Sequence, residues 1–142
     1  RFGLDDGVMI KDNHIAFAGS ITKAVQRVRE KIGHMIKIEV ETETVDQVRE
    51  AVEAGVDIIM FDNRSAEEVR ALRPLVPAHI ITEASGNITL DNIATYKGTG
   101  VDYISLGCLT HSVQALDISL NVEISEMPAS KQGEKAHAKS IL

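Results

Sequence analysis

The chain of 142 residues is long enough for one domain with a sizeable core, and its 44% hydrophobic content suits a globular protein. A formal net charge of −6, with 15 basic against 21 acidic residues and 4% aromatics, supplies neither a basic stripe nor a stacking platform for nucleic acid. No apolar run approaches the roughly 20 residues that span a bilayer. Cys108 is the single cysteine, which excludes an internal disulfide and a cysteine-built metal site within the chain, and a cytoplasmic location is expected. Arg1 in place of an initiating methionine reads as the start of a piece of a longer chain.

Val8-Met9-Ile10 is a short apolar run that gives way to Lys11-Asp12-Asn13-His14, as in a buried strand delivering polar groups at its C-terminal end. Ser20 stands at an N-cap position, and Ile21, Ala24, Val25, Val28 and Ile32 recur at helical spacing up to Gly33. Residues 35–41 read as the next strand. Thr44 with Gln47 forms a capping-box pattern ahead of a helix whose apolar face is Val45, Val48, Ala51 and Val52 and which Gly55 ends. Residues 57–61 are continuously apolar after Asp57, as in a strand covered on both faces, and they end in Asp62-Asn63. Ser65 with Glu68 repeats the capping box, Val69 and Leu72 continue the helix, and Pro74 with Pro77 stops it.

Residues 80–87 read as a buried strand ending in Glu83, then a turn of small residues, Ser85-Gly86-Asn87, with a helix beginning just beyond. Such a turn lets backbone N–H groups approach an anion, although small residues there are also plain turn chemistry. Residues 101–106 form another strand, delivering Gly107-Cys108-Leu109-Thr110, and residues 116–122 alternate as a last strand. Beyond residue 126 the apolar period disappears, so the expected organisation is one domain over residues 1–125 and a flexible or peripheral tail over residues 126–142.

Alternating strands and helices with short connections predict parallel strands joined by right-handed crossovers. The polar strand ends Lys11, Glu41, Asp62, Glu83 and Gly107 follow one another at gaps of 30, 21, 21 and 24 residues, about one βα unit each. In a βα barrel such residues converge on the C-terminal rim, where active sites sit. The competing doubly wound sheet lacks its usual glycine fingerprint here. Since a full barrel takes about 250 residues, this chain would be part of one.

Glu41, Asp62 and Glu83 at strand ends could bind ribose hydroxyls, hold a hydrated Mg²⁺ or stabilise a developing cation; the alternative is that each caps a helix or pairs with a lysine. Glu39 and Glu41 point to the same side of their strand, and Glu41, the later one, is the better placed at the rim. Lys11 could be a Schiff-base amine, a clamp on an anionic substrate, or a solvated loop lysine. His14 reads as a hydrogen-bond partner that orders its loop, His111-Ser112 have no acid placed to complete a triad, and Cys108 reads as a small buried or half-buried residue.

Read together, Arg1-x-Gly3-Leu4-x-Asp6, Ile10-Lys11-Asp12-Asn13-His14, Ile38-Glu39-Val40-Glu41, Ala54-Gly55-x-Asp57-Ile58-Ile59-x-x-Asp62-Asn63, Glu83-Ala84-Ser85-Gly86, Ser105-Leu106-Gly107-x-Leu109-Thr110-His111-Ser112 and Ala115-Leu116-Asp117-Ile118-Ser119-Leu120 closely resemble the C-terminal catalytic domain of quinolinate phosphoribosyltransferase. The resemblance implies an incomplete α/β barrel, without the family's N-terminal domain and first barrel segment. It also implies transfer of ribose 5-phosphate from phosphoribosyl pyrophosphate to the nitrogen of quinolinate, with loss of pyrophosphate and CO₂, to give nicotinate mononucleotide on the route to NAD. By motif, Arg1 and Lys11 would bind quinolinate carboxylates, Glu41 and Asp62 would face the ribose and Mg²⁺-bound pyrophosphate, and Ser85, Gly86, Asn87 and Gly107 would cradle the 5-phosphate. Lys11, Glu41 and Asp62 would carry the chemistry, and a homodimer would complete the site. Two other readings stay open: a related transferase with another acceptor, and a barrel piece that binds phosphate without turnover.

Overall fold

The computed structural model describes residues 7–110. Five strands and four helices alternate through them: β1 (Gly7–Ile10), α1 (Asp12–Ala18), α2 (Ile21–Arg29), β2 (Lys37–Thr42), α3 (Val45–Glu53), β3 (Ile58–Asp62), α4 (Ala66–Leu72), β4 (Ile81–Ser85) and β5 (Tyr103–Ile104). Short 3-10 turns occupy Arg73–Leu75, Ile93–Tyr96 and Gly107–Leu109. The strands lie in the order β1-β2-β3-β4-β5, and every neighbouring pair is parallel. A doubly wound sheet reverses its strand order at a switch point, and this one does not. Successive right-handed crossovers between neighbours put all the helices on one face, which is the geometry of a barrel wall.

Alternation along the strands separates the two faces. Ile38, Val40 and Thr42 of β2, Ile59 and Phe61 of β3, and Thr82 and Ala84 of β4 are buried, and the apolar ones join Ile21, Val25, Val48, Ala51, Val69 and Leu72 from the helices in one core. Each fully buried aliphatic or Phe side chain there contributes about 1.5–3 kcal/mol. The other face carries Glu39, Glu41, Met60, Asp62, Glu83 and Ser85, so the acids project away from the helices as the alternation requires.

The caps read from sequence are present. Ser20 Oγ accepts from Lys23 N, Thr44 and Gln47 cap one another reciprocally, and so do Ser65 and Glu68. At the opposite end of the sheet a paired motif recurs. Asp57 Oδ2 accepts from Ile38 N while Asp57 N donates to Ile38 O, and Asp102 and Thr82 make the same two bonds two strands further along, between β4 and β5. Gly55-Val56-Asp57 and Gly100-Val101-Asp102 are thus equivalent strand entries, each tying its strand to the preceding one.

Elsewhere the structure departs from the sequence reading. Residues 12–18, where the sequence predicts no helix and only a loop around His14, form α1; His14 Nδ1 accepts from Lys11 N at the helix start and Gly19 (φ +90°) closes the end. The helix expected beyond residue 87 is only the turn Ile93–Tyr96. Asn92 Oδ1 accepts from Thr89 N and Asn92 Nδ2 donates to Asn87 O, and these side-chain bonds compete with a helical ladder. The strand expected over residues 101–106 shortens to Tyr103–Ile104, since among the described residues β5 pairs with β4 alone and Gly107 turns the chain. Cys108, expected buried or half-buried, is exposed on that turn. Arg1, His111, Ser112, the strand at 116–122 and the boundary at 125–126 lie outside the described residues.

Candidate active site

Parallel register converts sequence position into height above the sheet. The β1/β2 register pairs Met9 with Glu39 and Ile10 with Val40, so Lys11 follows level with Glu41. Glu41 is level with Met60, and Met60 with Glu83; one pleat further along, Asp62 is level with Ser85. The strand-end residues singled out from sequence therefore form two adjacent rows at the C-terminal rim: Lys11, Glu41 and Glu83 below, Asp62 and Ser85 above.

Within the lower row, Lys11 Nζ donates to Glu41 Oε1 at 2.6 Å, with the lysine side chain 51% exposed and the glutamate 16%. The bonded Glu41 carboxylate raises the Lys11 pKa above the ordinary lysine value, partial burial opposes this, and Asp62 and Asp12 add to the rise. Lys11 is accordingly a fixed cation, which suits an electrostatic clamp and disfavours an amine nucleophile. Glu83 accepts a short hydrogen bond from Ser105 Oγ and is separated from Glu41 by Met60. Glu39, one pleat below Glu41, is buried. The preference for Glu41 as the rim glutamate agrees with this placement.

The upper row is held by the loops. Asn63, with φ +52°, donates from Nδ2 to Asp62 Oδ2 (2.8 Å), from its backbone N to Ser85 O (3.0 Å), and accepts at Oδ1 from Asn87 Nδ2 (2.9 Å). Gly86, at φ +80°, lies so close to Asn63 that an added Cβ would stand 2.3 Å from Oδ1 and 2.8 Å from the backbone N. The glycine is therefore demanded by the neighbouring loop, and Asn87 spends its amide on the same neighbour. Gly107 lies two residues beyond Ser105 on an exposed turn, its carbonyl accepting from Thr110 N and Oγ1. Asn63 is the member that sequence reasoning left out. Its signal is local: an asparagine directly after a strand-end acid, a residue type that tolerates positive φ and carries both a donor and an acceptor.

Between β1, β2 and β3 opens a cleft of about 370 Å³ lined by Asp12, Ile15, Glu41, Glu43, Gln47, Asp62 and Asn63. Its charge is acidic, with Lys11 at the edge. Among the described residues no group of three or more His, Cys, Asp or Glu converges as a metal cage. The donors are hard oxygens, which suit a Mg²⁺ that keeps several waters and leans on one or two carboxylates plus substrate phosphates. Among the same residues no helix is long and apolar enough to cross a membrane.

The sequence profile described as quinolinate phosphoribosyl transferase, C-terminal domain, matches residues 1–121. A probable carboxylating nicotinate-nucleotide pyrophosphorylase of Bacillus subtilis is 60% identical over 125 residues, covering 88% of this chain and 43% of the relative. The carboxylating nicotinate-nucleotide pyrophosphorylase of Rattus norvegicus is 42% identical over 125 residues, covering 86% and 42%. The crystal structure of NadC from Streptococcus pyogenes superposes with a TM-score of 0.74 at 44% identity, covering 82% of this chain and 41% of that one. This chain thus spans a little over two-fifths of the length of the relatives it matches. With the parallel βα wall and the ordered rim residues already in place, these similarities establish that the chain belongs to the quinolinate phosphoribosyltransferase family, in its C-terminal domain.

Proposed function

We propose that this chain carries the phosphoribosyl half of a carboxylating nicotinate-nucleotide pyrophosphorylase. In that reaction the ring nitrogen of quinolinate bonds to the anomeric carbon of phosphoribosyl pyrophosphate as the bond to pyrophosphate breaks. The nitrogen, now cationic, stabilises the electron pair left on the adjacent ring carbon when that carbon's carboxylate departs as CO₂; a proton from solvent takes up the pair, and nicotinate mononucleotide results. The observation that supports this most is the rim itself, with two carboxylates, Glu41 and Asp62, one pleat apart and with the Lys11 ammonium bonded to Glu41. Positive charge develops at the anomeric carbon, and preorganised carboxylates there stabilise it. Lys11 meets the opposite charge on the acceptor carboxylates. Ser85, Gly86 and Gly107 present the turns on which the 5-phosphate rests, with Asn87 holding the first turn in place.

Asp62 and Glu41 are the carboxylates that would hold a hydrated Mg²⁺, which when bound would neutralise charge on the departing pyrophosphate. Among the described residues the cleft is lined by four acids with Ile15, Gln47 and Asn63 and by no arginine or lysine, so a polyanionic donor would draw its cations from elsewhere: Arg1, further chain, or a second copy. That need supports a homodimer in which the partner completes the site. The test is a turnover assay on the full-length protein with quinolinate, phosphoribosyl pyrophosphate and Mg²⁺. Nicotinate mononucleotide and CO₂ are expected in equal amounts; ribosylation of another acceptor without CO₂ release would assign a different transferase.

A further inference from the structure

Asn63 joins two parts of the rim that belong to different βα units. Its side chain donates to Asp62 Oδ2 at 2.8 Å and accepts from Asn87 Nδ2 at 2.9 Å, while its backbone N–H donates to Ser85 O at 3.0 Å. It holds a left-handed backbone conformation, φ +52°, that is costly for a residue with a Cβ and that asparagine tolerates better than most. The facing residue is a glycine whose missing Cβ is the space that Asn63 fills. On the far side Asn92 donates to Asn87 O, so the chain of amides runs from the carboxylate through two loops. No such tie reaches Glu83, which is held by Ser105 instead.

We propose that Asn63 is a positioning residue, which locks the Asp62 carboxylate to the turn at residues 85–87 so that the ribose and the 5-phosphate of one donor meet a single rigid unit. The inference rests on the assignment of Asp62 and of Ser85-Gly86 to the phosphoribosyl half of the site. A carboxylate free to rotate would still bind Mg²⁺ and donor, but not at a fixed distance from the 5-phosphate. The spacing between anomeric carbon and phosphate is set by the ribose, so a rigid unit is worth most when that spacing is matched in advance.

The experiment compares Asn63→Gly, Asn63→Ala, Asn63→Asp and Asp62→Asn in the full-length protein. Glycine keeps the positive φ and deletes the side chain, alanine deletes the side chain and strains the backbone, and aspartate keeps an acceptor for Asn87 but loses the donor to Asp62. The expected result is a fall of about 10- to 100-fold in kcat/KM for phosphoribosyl pyrophosphate in all three Asn63 variants, with the KM for quinolinate within about twofold. Asn63→Gly should melt close to the parent while Asn63→Ala melts lower. Beside a crippled Asp62→Asn, wild-type kinetics for Asn63→Gly would overturn the inference alone, since the asparagine would serve only its backbone, and wild-type kinetics for Asn63→Asp would overturn it too, since the bond to Asp62 would be dispensable. An Asp62→Asn enzyme as active as the parent would overturn the site assignment itself, and the inference with it.

Discussion

Lys11 is the residue whose surroundings say most about how the site is used. Its ammonium is already bonded to Glu41, so under the proposed function an acceptor carboxylate would have to compete with that internal one. Because the pKa is raised, Lys11 stays charged below the unfolded lysine value of about 10.4, and its contribution is lost as pH rises through the higher folded value. Half-exposed, it adds about 0–1 kcal/mol to stability, so its removal tests binding with little effect on folding. Lys11→Ala in the full-length protein should weaken quinolinate binding by about tenfold or more, roughly 1.4 kcal/mol, and donor binding by less. Calorimetric titration with each substrate checks this, and equal losses would count against the clamp. Gly86 teaches a different lesson. A bulky substitution there collides with Asn63 before any phosphate is present, so its effect cannot by itself identify a phosphate site.

Asp57 and Asp102 lock successive strands into register from below while the rim is built above. Thr82 backbone N–H and then its hydroxyl, both donating to Asp102, hold that carboxyl below the usual aspartate value. A depressed carboxyl stabilises the fold above its unfolded value of about 3.9, and that contribution disappears as pH falls through the folded value. Asp102→Asn should therefore cost about 1 kcal/mol or less at pH 7, since the carboxylate is exposed and screened, and the gap to the parent should narrow as pH falls below about 3.9. Urea midpoints at the two pH values decide it; an unchanged gap would show that the charge is irrelevant. This paired motif, repeated in Gly55-Val56-Asp57 and Gly100-Val101-Asp102, was visible in sequence yet had no legible meaning until the strands were neighbours. What could be read was local: the caps at Ser20, Thr44 and Ser65, and the acids at the strand ends. Contacts between loops, such as Asn63 with Asn87, depend on which turns face each other, and no period along the chain encodes that. The helix expected after residue 87 is lost for a local reason, since Asn92 takes the backbone N–H of Thr89 and the carbonyl of Asn87.

Among the described residues, five strands in consecutive order form an arc with two edges. At one, an apolar groove of about 550 Å³ runs beside β1, lined by Val8, Ile10, Phe17, Val28 and Ile32 among others, with Phe17 76% exposed. At the other, Tyr103 on β5 is 61% exposed. Large apolar groups at both edges are what a barrel wall shows where the rest of the barrel packs, and the relatives are more than twice as long as this chain. Protection against hydrogen exchange should follow that geometry. In a protein of residues 1–142 alone, amides of β2, β3 and β4, flanked on both sides, should exchange slowest, and those of β1 that face away from β2 should exchange orders of magnitude faster. In the full-length protein the β1 amides should slow toward the β2 level, because a neighbour then covers that edge. Equal, strong protection of β1 in both proteins would mean that the arc already closes on itself, and the acid-rich rim would then have to draw its cations from a second copy.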